Sequence, residues 1–369
     1  MSKSISEQIS ELGVSIWLDD LSKDRITSGS LIELVEQHNV VGITSNPTIF
    51  AQAIGTDGSY NADIKELAEH GMSSEEIALE LMIRDVRLAC DQMAGVFEES
   101  GGSDGLVSLE VSPLLSQNSQ TTTSQAKAIW KSVDRPNLMV KIPATKSCLP
   151  AITETIGSGI NVNVTLIFSR DRYQSVLDAY FSGIELALSR EIDITQIRSV
   201  ASFFVSRLDS AVDKLLDNLS SETAPRLRST AAVANARLAY DLFEKNHRSE
   251  RAAALLASGM NLQRPLWAST GVKDPTLPET HYVAELAGPN VVNTMPEKTL
   301  LALSSLRDSP VDKISGSFSA ARDALKSIER EGITLEHITE ALESAGLEQF
   351  VSSWHELLNR IELVMESST

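Results

Sequence analysis

The chain has 369 residues, 42% of them apolar, and a formal net charge of −18 at pH 7. That length can bury a core for one barrel-sized domain or two ordinary ones, and the charge argues against nucleic acid and anionic membranes as partners. Two cysteines, Cys90 and Cys148, without paired spacing fit a reducing cytoplasm better than a disulfide-stapled secreted fold, no run approaches the ~18 apolar residues of a membrane span, and Met1 to Glu11 carries no apolar signal core.

In chain order, Val14 to Asp19 is expected as a strand, followed by a helix from about Ser28 to Gln37 and a second strand, Val40 to Ser45, ended by Asn46-Pro47. A loop rich in Gly, Asp and Asn is expected from Gly55 to Asn61. Ser73, with Glu76 three residues on, reads as the capping box of a helix reaching about Phe97. The glycine-rich turn Gly101–Gly105 precedes a strand instead of following one, so it is no dinucleotide fingerprint. The third strand is Leu106 to Val111, then a helix from about Ser124 to Val133, the strand Leu138 to Pro143, and a helix from Cys148 to Ile156. Ile160 to Thr165 is the fifth strand, Arg170 to Leu188 an amphipathic helix, and Ile197 to Phe204 the sixth strand. One long helical region is expected over Asp209 to Lys245, with strands in Gln263 to Ser269 and Asn290 to Asn293. Helical segments fill most of Glu297 to Met365, with turn signals at Asp308-Ser309-Pro310 and at Gly346. Strand then helix, eight times, points to a (β/α)8 TIM barrel spanning residues 1–369, with 300–369 as a helical extension packed on it. Periodicity alone leaves a doubly wound open sheet as the alternative.

Within Leu138 to Pro143 a lysine, Lys141, interrupts an apolar run. Burying an ammonium disfavours its charged form, and only a neutral amine attacks a carbonyl to form a Schiff base. Taken alone, Lys141 reads equally as a snorkelling side chain or one half of a buried ion pair. The other strands break the apolar rule in the same manner. Parallel strands covered on both faces should be continuously apolar, yet Ser15, Trp17 and Asp19 share one face of their strand, Ser108 and Glu110 one face of theirs, and Asn161, Asn163 and Thr165 one face of theirs. In a barrel that shared polar face is the interior, near the C-terminal rim where barrel enzymes place their sites.

The residue types suggest a division of labour. Lys141 would attack a ketone, while Asp19 and Glu110 would divide the acid–base work of dehydration and carbon–carbon cleavage. Each carboxylate alone is also what a helix-capping strand end looks like. Asn46 and Asn163 can bond substrate hydroxyls without adding charge, and Thr165 and Ser202 can hold a water or a hydroxyl. The six histidines are scattered and suggest no metal site, and neither a Walker loop nor a G-x-S-x-G elbow is present.

These residues also carry a resemblance. Trp17-Leu18-Asp19-Asp20, Thr44-Ser45-Asn46-Pro47, Val107-Ser108-Leu109-Glu110-Val111, Val140-Lys141-Ile142-Pro143, Asn163 to Ser169 and Ser202 to Arg207 resemble, in order, the motifs of the transaldolase family in its longer bacterial form, within the class I Schiff-base aldolases. The resemblance implies a cofactor-free enzyme that moves a dihydroxyacetone unit from a ketose phosphate, such as fructose 6-phosphate or sedoheptulose 7-phosphate, to an aldose phosphate, glyceraldehyde 3-phosphate or erythrose 4-phosphate, in the pentose phosphate pathway. It implies Lys141 as the Schiff-base lysine, Glu110 as the carboxylate acting through a water, and Asp19 as the base in bond cleavage. Asn46 and Asn163 would hold the dihydroxyacetone portion, Thr165 the catalytic water, Ser202 the substrate and Arg207 its phosphate. Phe204 stands where related fructose 6-phosphate aldolases carry a tyrosine, which favours transfer over plain cleavage, although a phenylalanine also satisfies ordinary core packing. That cleavage enzyme is the alternative function, and a non-catalytic barrel a third. A second phosphate-binding cation is expected after the seventh strand, where Ser269 and Lys273 are the candidates and Arg264 a weaker one. Lys273 reads equally as a surface lysine. A cytoplasmic monomer or homodimer is expected.

Overall fold

A computed structural model describes residues 3–56, 58–306 and 308–367. Eight parallel strands close into a barrel in sequence order: β1 (Val14–Asp19), β2 (Gly42–Thr44), β3 (Leu106–Glu110), β4 (Leu138–Pro143), β5 (Val162–Ile167), β6 (Ser199–Phe204), β7 (Gln263–Ala268) and β8 (Val291–Met295), with β8 pairing back onto β1. Closure removes the open-sheet alternative, because no strand edge is left free.

The alternation has the origin expected of it. Val107, Leu109, Val140, Ile142, Val162 and Val164 face outward into the large core beneath the helices. Trp17, Leu106, Met139, Val200, Leu266 and Val292 fill a second, smaller core inside the barrel. The closest fit there is Gly42 against Trp17, since a Cβ on Gly42 would stand 2.4 Å from the indole ring. Gly42→Ala is therefore expected to cost about 3 kcal/mol by overpacking. A urea-denaturation midpoint indistinguishable from that of the unsubstituted protein would show that the indole moves aside freely.

Several helices differ from expectation. The capping box at Ser73 and Glu76 is formed, but the segment expected as one helix over Asp209–Lys245 is three: Ser206–Leu216, Ala224–Leu227 and Ala231–His247. Pro225, unable to continue a helix from its amino side, starts the middle one, and Ser229 turns the chain with φ 57°. Two helices the sequence did not announce, Pro47–Thr56 and Asn61–Glu69, flank the expected glycine-rich loop. Asp57 in that loop lies outside the described residues. Pro47 is tolerated in the first turn because its missing N–H would be unpaired there anyway.

The largest correction concerns Gly346. It makes no turn but lies inside one continuous helix, Leu335–Glu366. A Cβ at Gly346 would stand 3.1 Å from Leu166 and 3.6 Å from Phe168, so the missing side chain lets this C-terminal helix settle onto the end of β5. Leu166 itself takes φ 60° where the β5–β6 register shifts, an uncommon conformation for a bulky residue and one typical of bulges beside functional sites.

Candidate active site

The register assembles the site. Glu110 of β3 stands opposite Lys141 of β4, and Lys141 opposite Asn163 of β5, so one row across three strands places them side by side. Asp19 of β1 stands opposite Thr44 of β2. All point inward because they share the parity of the interior residues.

Lys141 is only 5% exposed and Glu110 2%. The Lys141 Nζ donates to the Ser45 carbonyl oxygen at 2.9 Å and lies 3.2 Å from Glu110 Oε2. That second contact is an ion pair not aligned as a hydrogen bond, and Oε2 has no hydrogen-bond partner among the described residues. Burial pushes the Glu110 carboxyl up to about 7, with the Lys141 charge opposing the shift. Asp19 is also raised by burial, against Lys141 and a 2.8 Å bond from Thr44 Oγ1. Its carboxyl is half-buried by surface, but the surface it keeps faces a narrow cavity and not bulk water. Two carboxylates, both reluctant to ionise, thus border one buried amine, the environment in which acid–base groups work near neutral pH.

A cavity of about 170 Å³ opens above this row. Asp19, Asn46, Lys141, Thr165, Ser202, Phe204, Arg207 and Ser269 all line it. Glu110 and Asn163 lie behind the wall. The Asn163 amide is already engaged, donating to Ser108 Oγ at 3.0 Å and accepting from Ser202 Oγ at 2.7 Å. Each bond uses one of the two N–H donors and one of the two lone pairs of that amide. The Asn46 Oδ1 accepts the backbone N–H of Ile49 at 3.0 Å, which fixes the start of the helix behind it. Thr165 Oγ1 is buried without a hydrogen-bond partner among the described residues, leaving it available to a water. Arg207 sits half-buried over the Phe204 ring, 5.5 Å from its centroid, and makes no ion pair among the described residues. Partial burial lowers its pKa, with the Asp19 charge opposing, and a guanidinium so placed stays charged at neutral pH.

Two candidates fall elsewhere. Lys273 lines a separate surface cleft with Asp209, Asp213, Arg228 and Asp274. Ser269, with φ 55°, and Thr270, bonded to the Thr294 carbonyl, turn the chain away from the barrel axis before Lys273 is reached. Arg264 begins the wrong end of β7: it bonds Ser15 Oγ at 2.7 Å and pairs with Asp104 at 3.1 Å, at the opposite mouth from Lys141. Neither reaches the cavity. Among the described residues no group of three or more His, Cys, Asp or Glu side chains is placed to hold a metal ion, and no helix is long and apolar enough to cross a membrane.

A profile of the family described as Transaldolase/Fructose-6-phosphate aldolase matches residues 16–361. The chain belongs to the transaldolase family. It is 48% identical over 363 residues to the transaldolase of Thermobifida fusca, covering 98% of this chain and 99% of that protein. It is 49% identical over 356 residues to transaldolase 2 of Streptomyces coelicolor, covering 96% of each. Identity to the transaldolase of a Parafrankia species is 49% over 361 residues and 98% of each chain. As a member of that family it is an enzyme, a transferase.

Part of the transaldolase cavity was not visible in the strand motifs. Thr294 of β8 bonds Thr44 at 2.6 Å beside Asp19, and Gln349 and Phe350 reach the cavity from the C-terminal helix. On a helix Phe350 has the spacing of an ordinary core residue. The only cue was Gly346 one turn before it, a small residue in a long helical pattern that reports close packing.

Proposed function

We propose that this transaldolase-family enzyme transfers a dihydroxyacetone unit from fructose 6-phosphate or sedoheptulose 7-phosphate to glyceraldehyde 3-phosphate or erythrose 4-phosphate, through an imine on Lys141. The observation that carries the reading is a buried lysine at the floor of a cavity, 3.2 Å from one carboxylate, with Asp19 in the same cavity wall and an arginine free of ion-pair partners, among the described residues, at its rim. The neutral Lys141 amine adds to the ketone carbon. A proton passed through a water held by Thr165 and Glu110 lets the resulting hydroxyl leave as water, giving a protonated imine. Asp19 then takes the proton of the hydroxyl on the fourth carbon. The bond between the third and fourth carbons breaks, its electron pair flows into the imine, and an aldose phosphate departs. The enamine left on Lys141 attacks the acceptor aldehyde, and hydrolysis frees the amine. Arg207 is the phosphate anchor, because a guanidinium without a carboxylate partner offers its planar fork to the incoming anion. Asn46 and Asn163 hold the dihydroxyacetone portion, Ser202 orients a hydroxyl, and Ser269 borders the phosphate. Phe204 puts a ring, not an acidic hydroxyl, beside the imine, which favours transfer over release of free dihydroxyacetone.

We assign the activity to one barrel domain, 1–369, with 300–369 packed across it, working without a cofactor in the cytoplasm as a monomer or homodimer. Both cysteines being free and buried agrees with a reducing compartment. Borohydride reduction in the presence of fructose 6-phosphate should leave one reduced three-carbon adduct, mapped to Lys141, and erythrose 4-phosphate should discharge it before reduction. A folded protein that traps nothing from several ketose phosphates, or an adduct on another lysine, would overturn the assignment of Lys141.

A further inference from the structure

We propose that Phe350, carried on the C-terminal helix, is a working part of the imine site: its ring face stabilises the positive charge of the Lys141 iminium. This inference rests on the Schiff-base reading above and adds to it a residue far outside the strand motifs. The Lys141 Nζ lies 5.7 Å from the Phe350 ring centroid, within the ~6 Å over which an aromatic quadrupole attracts a cation, and such attraction is strongest where water is excluded. Phe350 is 4% exposed and lines the cavity.

The ring is held in place on both sides. One turn before it, Gly346 rests on Leu166 and Phe168, and farther back Glu343 receives two bonds from Arg172, each 3.1 Å. Beyond it, Ser353 Oγ bonds Thr48 Oγ1 at 2.8 Å, on the helix that starts beside Asn46. A ring placed so firmly costs no reorganisation when charge develops beneath it.

The chemistry makes the contact selective. As an ammonium, Lys141 has three N–H donors: one goes to the Ser45 carbonyl, and Glu110 stands beside it as an ion-pair partner. In the protonated imine, one amine proton has been lost to solvent on deprotonation and one has left with the departing water, so a single N–H remains while the positive charge is unchanged. The iminium thus has fewer N–H donors to offer than the ammonium, whereas a ring face needs no donor: it attracts the charged imine and not the neutral amine from which the imine forms. Because only the charged imine is attracted, the equilibrium between neutral amine and protonated imine shifts toward imine.

The test replaces Phe350 by mono-, di- and trifluorophenylalanine, which nearly keep its shape while draining charge from its face. The fraction of protein trapped by borohydride at subsaturating fructose 6-phosphate, and kcat for transfer, should fall progressively. Their logarithms should be linear in fluorine number, to about ten-fold at three fluorines. Unchanged thermal midpoints across the series would separate this from damage to the fold. Phe350→Leu, which keeps apolar volume without a ring face, should match or exceed the trifluoro loss. Trapping and kcat that stay flat across the fluorinated series would overturn the proposal and leave Phe350 as packing. Absence of any Lys141 adduct in the unsubstituted protein would instead strike at the Schiff-base reading, so the two failures are distinguishable.

Discussion

Lys141→Ala is expected to abolish turnover, by a factor of about 10⁵ or more, the scale seen when a covalent nucleophile is removed from an enzyme. The protein should nonetheless fold. Removing the ammonium would strand Glu110 without its cation, and a buried charge with no partner is costly. Glu110 has an escape: burial already raises it to about 7 with Lys141 present, so without the cation it simply stays protonated and neutral. Circular dichroism should be unchanged, and borohydride with fructose 6-phosphate should leave no adduct. Turnover near that of the unsubstituted enzyme would remove Lys141 from the mechanism altogether.

The second large effect is at Glu110. Glu110→Gln keeps the shape of the side chain but cannot carry a proton, and kcat should fall by roughly 10²–10⁴, the usual contribution of a positioned acid–base group. The pH profile should change with it. In the unsubstituted enzyme activity should decline above about pH 7 as Glu110 loses the proton it relays to the departing hydroxyl. The substituted enzyme should lack that limb and keep only a limb set by Asp19. Stability carries the same signature with a defined sign. The ordinary value for this carboxyl is 4.5, and folding raises it to about 7. Between those values the folded protein holds a proton that the unfolded chain has released, so Glu110 contributes stability below about pH 4.5 that is lost as pH rises through 7. Glu110→Gln should flatten the fall in thermal midpoint over that window. A slope and a basic limb both retained in the Gln variant would place the relevant proton elsewhere.

Several features were legible in the residues for reasons that are local. An inward polar parity on strands that should have been wholly apolar marked both the barrel interior and most of the cavity wall. Asp19, Lys141, Thr165, Ser202 and Arg207 were found this way or through motifs that contain them, and the structure brings them together. The Ser73–Glu76 cap was likewise readable, since its partners are three residues apart. Asn163 shows where parity stops being enough: it points inward as read, yet its amide also bonds Ser108 and Ser202. Parity gives a direction and says nothing of which neighbours already occupy a donor or acceptor.

The strand–helix rhythm, the face on which polar groups gather and the type of chemistry those groups can perform were all readable from the residues, because each depends on spacings of a few residues. Closure of β8 onto β1 was decided only by tertiary structure, since it joins strands at opposite ends of the chain. So was the fate of Lys273 and Arg264: a turn at Ser269 sends the first to an outer cleft, and position at the start of β7 puts the second at the far mouth. The clearest case is the C-terminal helix. Its periodicity announced a packed helix and Gly346 suggested a break, but only the fold shows that the glycine is where the helix meets Leu166 and that Phe350 consequently stands over Lys141. A contact between residues more than two hundred positions apart leaves no local pattern, because it is made by shape complementarity of surfaces that exist only once the barrel has closed.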